Sequence, residues 1–530
     1  MKSNSLLRYL ALLSAVALAV VSLRPTGSAA VDQREVALSG SLAHPQRQFS
    51  SSSNGDTATH IAHIENGLLP SVMIKGQPPA TMKLIERMQH YHVPGVSIAF
   101  FDHGQIVWAR SYGQADVQTG RLVTPETLFQ AGSISKPIAA IGALKPVEQG
   151  KFKLDENVNE ALRSWKLPEN ELTKEQKVTL RRILSHSAGL TIHGFPGYAE
   201  GELVPTIPQI LDGEKPANTN AVRVDTVPGT VLRYSGGGIT IMQLMMTDVT
   251  GNSFPELMHD LVLGPIGMSH STYEEPLRRK LWPDVAVPYD ERGEPIKGGF
   301  HTYPEMAAAG LWTNPSDLAR AAIEVQKEYA GTTHKILSQS MAHEMLTHQK
   351  EDRGLGFELE KMGHTPRFGH FGVNEGFVAT LQAYRDMGQG IAIMTNGRLG
   401  EQLITEILRA VAREYSWTDF RPVEHTLVNI DPATLSSFTG TYALPDPDGQ
   451  DKLTVTLQGQ HLYISGSYSV GSTYHFGISE PVELLPDSPQ QFFTLSTGDT
   501  TFRFEKKDKG MVENCIINAG ANQQLAKKLP

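Results

Sequence analysis

The sequence predicts a mixed α+β fold, in which an antiparallel sheet is flanked by helices and followed by an all-β domain. Helical and strand patterns do not alternate regularly in the middle of the chain, which favours antiparallel pairing. DLARAAIEVQKEY has helical spacing, whereas FVATLQAYRD and GIAIMTNG have strand character. Beyond about residue 430 only strand patterns remain, and these predict a C-terminal β barrel or sandwich.

The N-terminal segment has the three parts of a cleaved secretory signal. Lys2 and Arg8 precede an apolar run over 9–23, and small residues follow at Ser28 and Ala30. A membrane anchor needs about 20 apolar residues, more than this run supplies. The pattern predicts a signal peptide over 1–30 and secretion or periplasmic export. No stable membrane span is expected after cleavage.

Three segments follow the signal. Residues 31–75 are polar and serine-rich without periodicity, which predicts a flexible leader. Residues 76–425 carry the mixed helix and strand patterns and predict the main domain. Residues 430–530 predict the β domain, because stretches such as KLTVTLQGQHLYI alternate apolar and polar residues before a turn.

The bulk composition argues against several function classes. A formal net charge of −9 and a pI near 6.1 give an acidic surface without a basic stripe, which disfavours nucleic-acid binding. The single cysteine, Cys515, has no disulfide partner within the chain and no neighbours at metal-ligand spacing. We therefore expect neither a nucleic-acid partner nor a metal.

A serine and a lysine stand three positions apart in AGSISKPI, at a predicted helix start. Positions i and i+3 share a helix face, so Lys136 would lie beside Ser133. A serine hydroxyl needs a base within hydrogen-bond reach to act as a nucleophile. Lysine serves as that base only if burial or positive charge lowers its pKa. Alternatively, Ser133 is an ordinary helix N-cap.

The wider sequence favours catalysis. The segment RLVTPETLFQAGSISKPIAAIGALKPVEQGKFKLDENV resembles the catalytic-serine segment of the serine β-lactamase-like hydrolases. This family includes class C β-lactamases, penicillin-binding proteins, D-stereospecific peptidases and esterases. VTLRRILSHSAGL and MAAAGLWTNPSDLAR are similar to further family segments. Tyr234 in YSG matches the second family motif, and His370-Phe371-Gly372 matches the His-x-Gly form of the third. The resemblance covers roughly residues 78–420.

The resemblance implies a β-lactamase/transpeptidase-like domain and an acyl-enzyme mechanism. Ser133 would attack a carbonyl carbon, and Lys136 and Tyr234 would share the proton transfers. The backbone N–H groups of Ser133 and Val373, beside Gly372, would form an oxyanion hole. Water would then release the product, without a metal or an organic cofactor.

Two departures from the pattern of many β-lactamases bear on the substrate. Gly236 stands where the tyrosine motif often has asparagine, whose amide binds the acyl group. His370 replaces the lysine of the third motif, and a histidine is largely uncharged at neutral pH unless its pKa is raised. His370 would line the site, contacting a substrate carboxylate or orienting other groups. Both departures favour an esterase or D-stereospecific peptidase.

The sequence thus predicts an exported serine hydrolase that cleaves ester or amide bonds in a small-molecule or peptide substrate. A β-lactamase and a non-catalytic recognition protein remain as alternatives. Carboxylic esters, peptides with D-residues and peptidoglycan fragments are all compatible substrates. The sequence leaves open the oligomeric state and the role of the C-terminal domain.

Three other patterns are interpreted as structural. SHSAG at 185–189 lacks the first glycine of a nucleophile elbow, so Ser187 is predicted to be a turn residue. HEMLTH at 343–348 spaces its histidines by five positions, which predicts surface histidines. His60 and His63 lie in the predicted leader without a metal-binding pattern.

Overall fold

A computed structural model describes residues 54–360, 364–445, 451–470, 474–507, 511–519 and 522–530. The predicted signal peptide and the leader up to residue 53 lie outside these ranges. The described chain forms two compact units. The larger unit contains residues 57–68 and 82–419, and the smaller unit contains 69–81 and 420–530.

The strands and helices are numbered in chain order. The strands are β1 Val72–Ile74, β2 Gly95–Asp102, β3 Gln105–Asp116, β4 Arg121–Leu122, β5 Phe129–Gln130, β6 Trp312–Thr313, β7 Glu358–Leu359, β8 Arg367–Asn374, β9 Phe377–Tyr384, β10 Gly390–Thr395, β11 Val423–His425, β12 Gly440–Ala443, β13 Lys452–Gln458, β14 His461–Val470, β15 Tyr474–Pro486, β16 Gln491–Phe493, β17 Thr501–Lys506, β18 Val512–Ala519 and β19 Asn522–Lys528. The helices are α1 Asn54–Glu65, α2 Leu84–His90, α3 Ser135–Glu148, α4 Val158–Ala161, α5 Leu180–Leu184, α6 Ile207–Asp212, α7 Gly236–Thr250, α8 Phe254–Met258, α9 Gly264–Ile266, α10 Met306–Ala309, α11 Pro315–Tyr329, α12 Gln339–Met345, α13 Gly400–Glu414 and α14 Pro432–Ser437.

The larger unit is built on a seven-stranded antiparallel sheet in the order β4-β3-β2-β10-β9-β8-β7. β8 pairs with β9 along its whole length, with His370 opposite Leu381 and Val373 opposite Val378. On its other side β8 pairs with β7 only at Phe368 and Gly369. The rest of that edge of β8 is therefore open to a neighbouring segment.

α3 lies in the hydrophobic core of this unit. Most of its residues are buried on every side, among them Ile138, Ile141 and Leu144. A helix that is apolar all round needs burial to be stable in water. The first turn of α3 is thereby held inside the protein, where a lysine loses its hydration.

The prediction of a flexible leader over 31–75 is wrong from residue 54 onward, where α1 and β1 form. Ile61 and Ile64 are 5% and 3% exposed and share one face of α1, a pairing that the serine-rich composition obscured.

His60 and His63 place their Nδ1 atoms 2.6 and 3.0 Å from Glu414 Oε1. Within the described residues, no group of three or more His, Cys, Asp or Glu side chains is arranged for a metal.

The smaller unit contains a closed barrel of eight antiparallel strands, β12 to β19 in chain order. β12 closes it by pairing with β19, where Tyr442 lies opposite Lys528. Its interior is filled by aromatic side chains, including Phe492, Phe502 and Phe504, all fully buried. Of the alternatives predicted for the C-terminal domain, the barrel is confirmed. β1 pairs in parallel with β11 in the same unit.

The unit boundaries differ in detail from the predicted ones. The smaller unit begins at residue 420 and also contains residues 69–81, which the sequence-based prediction divided between the leader and the main domain.

None of the helices in the described part of the chain is both long enough and apolar enough to cross a bilayer.

Candidate active site

Ser133 lies in a short 3-10 turn, Gly132–Ile134, that leads directly into α3. Lys136, in the first turn of α3, places Nζ 2.9 Å from Ser133 Oγ and 2.8 Å from the carbonyl oxygen of Ala308. Ser133 is partly exposed, whereas Lys136 is only 2% exposed. The predicted pair is therefore formed, with its serine open to a substrate.

The alternative that Ser133 is an ordinary N-cap is wrong. Ile134 precedes α3 as its N-cap residue, and no side chain caps the helix. The structural serine is Ser135, which is fully buried. Its hydroxyl donates to the Gly132 carbonyl at 2.6 Å and accepts from Leu311 N–H at 3.0 Å.

The surroundings of Lys136 favour its neutral form. Burial lowers the pKa of Lys136 to about 7, and the Glu358 carboxylate opposes part of that shift. A neutral amine has two N–H groups and one lone pair. With one N–H on the Ala308 carbonyl oxygen, the lone pair is available to the Ser133 hydroxyl.

Tyr234 lies immediately before α7. The next residue, Ser235, caps α7, accepting from Gly238 N–H at 2.9 Å and donating to the Thr191 carbonyl oxygen at 2.7 Å. Lys136 Nζ is 5.0 Å from the centroid of the Tyr234 ring. Burial raises the pKa of Tyr234 well above its ordinary value, while a hydrogen bond with the Ser133 side chain opposes the shift. The phenol is therefore protonated at neutral pH and can donate.

The open edge of β8 faces the turn that carries Ser133. Arg367 C=O accepts from Glu360 N–H at 2.8 Å, on the side of β8 away from β9. Alternate residues of an antiparallel strand direct their N–H groups to the same side, so Val373 N–H also points away from β9.

Two glycines allow this close approach of β8 to the turn. A Cβ on Gly132, whose φ is +52°, would lie 2.5 Å from Val373 N. A Cβ on Gly372 would lie 2.0 Å from the Ala131 carbonyl oxygen and 3.1 Å from Ser133 N. The backbone nitrogens of Ser133 and Val373 thus lie on closely facing segments, which is the arrangement expected of an oxyanion hole.

His370 lies at the same site in an electrically neutral form. It is 2% exposed, and burial lowers its pKa to about 4, partly opposed by the Glu358 carboxylate. Its Nδ1 is 2.5 Å from the Phe371 carbonyl oxygen, so Nδ1 carries the hydrogen and Nε2 keeps a lone pair. A buried, neutral ring whose Nε2 carries a lone pair cannot attract a substrate carboxylate. The structure disfavours contact between His370 and a substrate carboxylate, and its role in orienting other groups stays a prediction.

Sequence patterns assign no role to His186 or His193, although both contact Tyr234. Their ring centroids lie 4.2 and 4.6 Å from that of Tyr234. His186 Nδ1 accepts from Ser235 N–H at 3.2 Å, and the His186 carbonyl oxygen accepts from Arg233 N–H at 2.7 Å. His186 therefore holds the backbone on both sides of Tyr234.

The only sequence signal for His186 was its place inside SHSAG, a segment interpreted as a turn. His186 is 3% exposed with φ +53°, and burial together with nearby positive charge lowers its pKa well below the ordinary value. Ser187 is buried, and its hydroxyl lies 2.9 Å from Ser185 Oγ, in keeping with a structural role.

Replacing His186 with alanine is expected to lower kcat about tenfold or more with little change in KM, because misplacing a reacting group by a fraction of an ångström slows the chemistry more than it weakens binding. His186→Asn is the matched variant. Asparagine tolerates positive φ and offers an oxygen to Ser235 N–H. Steady-state kinetics on an activated ester measure the effect, and an unchanged kcat in the alanine variant would contradict the positioning role.

A partly exposed serine beside a buried lysine, set against the open side of β8 in an antiparallel sheet, is the arrangement of a serine hydrolase of the β-lactamase fold. The sequence profile of the Beta-lactamase family matches residues 82–414, which contain all of the candidate catalytic side chains. The chain belongs to this family.

Named relatives agree with this assignment. Penicillin-binding protein 4 of Amycolatopsis lactamdurans is 25% identical over 381 residues, which are 67% of this chain and 94% of the relative. Esterase EstB of Burkholderia gladioli is 28% identical over 207 residues, 37% of this chain and 50% of the esterase.

A solved structure shows the same fold. The octameric penicillin-binding protein homologue from Pyrococcus abyssi has a TM-score of 0.55 and 21% identity, over 83% of this chain and 98% of that one. The predicted fold class, with its β-lactamase/transpeptidase-like domain and C-terminal β domain, is confirmed.

Proposed function

We propose that this protein is an exported serine hydrolase that cleaves ester or amide bonds through an acyl-enzyme at Ser133. The observation that carries the proposal is the 2.9 Å contact between Ser133 Oγ and the buried Nζ of Lys136. The N-terminal pattern over 1–30 supports export.

Acylation begins when Ser133 Oγ attacks the substrate carbonyl carbon and its proton passes to Lys136 Nζ. The negative charge that develops on the carbonyl oxygen is met by the N–H groups of Ser133 and Val373. Tyr234 then transfers its phenolic proton to the leaving oxygen or nitrogen and regains a proton from Lys136. The carbon–leaving-group bond breaks, and the acyl group stays on Ser133.

Deacylation repeats these steps with water. A water molecule attacks the ester carbonyl carbon and gives a proton to Lys136, with Tyr234 alongside. The bond between that carbon and Ser133 Oγ then breaks, and Lys136 returns a proton to Oγ. The carboxylic acid product leaves, and both side chains regain their starting states.

The surroundings of Gly236 support an esterase or amide hydrolase rather than a β-lactamase. A Cβ at this position would lie 3.0 Å from the His193 carbonyl oxygen and 3.1 Å from the Phe195 ring. A side chain at this position would therefore crowd the 193–195 segment, which would have to shift by a few tenths of an ångström. No amide is available there to bind the acyl group of a β-lactam.

Intact-protein mass spectrometry after treatment with a fluorophosphonate tests the proposal. We expect one adduct per chain, lost in Ser133→Ala and kept in Ser187→Ala, a control that removes the serine of the elbow-like motif. Ester hydrolysis should exceed hydrolysis of a chromogenic cephalosporin. A folded protein that forms no adduct would favour the non-catalytic recognition protein instead.

A further inference from the structure

A paired carboxylate borders the candidate site. Glu358, on β7, places Oε1 2.8 Å from Arg353 Nη1 and 4.0 Å from His370 Nε2. The Glu358 side chain is 36% exposed, so it is accessible to solvent. Its negative charge acts on Lys136, Tyr234 and His370 alike, in each case raising the pKa.

The basic side chains near this carboxylate already have partners. Arg353 is 15% exposed and lies between Glu358 and Asp352, whose Oδ1 is 3.7 Å from Arg353 Nε. Lys136 Nζ contacts Ser133 and the Ala308 carbonyl oxygen. Arg353 and Lys136 are the basic side chains that act on His370, and burial favours the neutral form of Lys136. A substrate carboxylate at this position would meet Glu358 without an unpaired positive charge.

His370 adds to this effect, because its buried Nε2 has no hydrogen-bond partner in the described part of the chain and presents a lone pair. A carboxylate has only acceptor atoms and cannot pair with it. The β7–β8 side of the site therefore combines a negative charge with an acceptor.

We infer that Glu358, held by Arg353, is a specificity-determining residue, and that the substrates are acyl donors without a carboxylate near the scissile bond. This rests on the proposed function and names its substrate class: neutral or amine-bearing esters and amides. The ion pair with Arg353 holds the Glu358 side chain in place. Anionic acyl donors are disfavoured at the binding step.

A matched pair of activated esters tests the inference. p-Nitrophenyl butyrate and mono-p-nitrophenyl succinate share a leaving group and nearly the same acyl length, but only the succinate ends in a carboxylate. We expect the wild type to prefer the butyrate in kcat/KM by about tenfold or more, since like charges at short range cost at least that much where water is partly excluded.

Glu358→Gln keeps the size of the side chain and removes its charge. This variant is expected to lose most of the preference through faster reaction with the succinate. Glu360→Gln is the matched control, because Glu360 pairs with Arg367 instead and its removal should leave the ratio unchanged. Arg353→Gln should act oppositely and strengthen the preference by leaving Glu358 unpaired, which keeps the test decisive if Glu358→Gln does not fold.

The outcomes separate the two proposals. A wild-type preference for the succinate, or a ratio unchanged in both Glu358→Gln and Arg353→Gln, would overturn the role of Glu358 while leaving the hydrolase intact. Hydrolysis of neither ester by a folded wild-type protein would instead overturn the proposed function itself.

Discussion

Replacing Lys136 with methionine is expected to reduce ester hydrolysis by about a hundredfold to ten-thousandfold, the usual contribution of a general base. Methionine has a similar length and fits an apolar environment, so the change removes the base without opening a large void. The measurement is kcat/KM on an activated ester. Lys145→Met on the same helix is the control and should keep full activity, since Lys145 lies near Glu148 instead.

The same residue sets the pH dependence of the wild type. Lys136 must be neutral to accept the proton of Ser133, so activity should rise with pH through the pKa of about 7. The folded protein holds Lys136 neutral at a pH where the unfolded chain still protonates it. The free energy of unfolding should therefore gain a rising contribution from about pH 7 up to the ordinary lysine range, and Lys136→Met should lack it.

An activity that falls with rising pH near 7 would contradict a neutral lysine base. So would a Lys136→Met variant that keeps more than about a tenth of wild-type activity, since a general base contributes far more than that. Thermal unfolding of the variant at pH 7 distinguishes loss of chemistry from loss of fold.

Local sequence spacing was enough to predict the Ser133–Lys136 contact, because the 3-10 turn that carries Ser133 continues directly into the first turn of α3, which carries Lys136. The resemblance to a family supplied Tyr234 and His370, which no local rule connects to Ser133. What sequence spacing did not supply was the depth of burial of Lys136. That depth depends on the packing of α3 inside the core and decides the lysine's charge.

The roles of His186 and Glu358 depend on contacts between distant segments. His186 meets Ser235 across 49 positions of sequence, and its segment had been interpreted only as a turn. Glu358 belongs to a two-residue strand, too short for a periodic pattern to indicate. Helix α1 was missed although its pattern is local, because its two buried isoleucines follow a polar, serine-rich stretch. Composition and periodicity carry little information on contacts between segments that are distant in sequence, such as those of His186 and Glu358.

The second large effect is expected from Gly372→Ala, which should lower kcat/KM by about a hundredfold or more, the typical cost of losing one oxyanion donor. The added Cβ would lie 2.0 Å from the Ala131 carbonyl oxygen, and both atoms belong to main chains that cannot rotate away. β8 must therefore move away from the turn. That movement separates Val373 N–H from Ser133 N–H, although every catalytic side chain is still present.

Val373→Ala is the matched control, because it trims a side chain on the same strand and leaves the backbone N–H in place. It should keep activity within about threefold, whereas losing a donor costs far more. Affinity for a boronic acid, which becomes tetrahedral on Ser133, should fall in parallel with kcat/KM in Gly372→Ala. A folded Gly372→Ala enzyme with normal activity would show that the oxyanion is stabilised elsewhere, because no alanine fits this position without displacing β8.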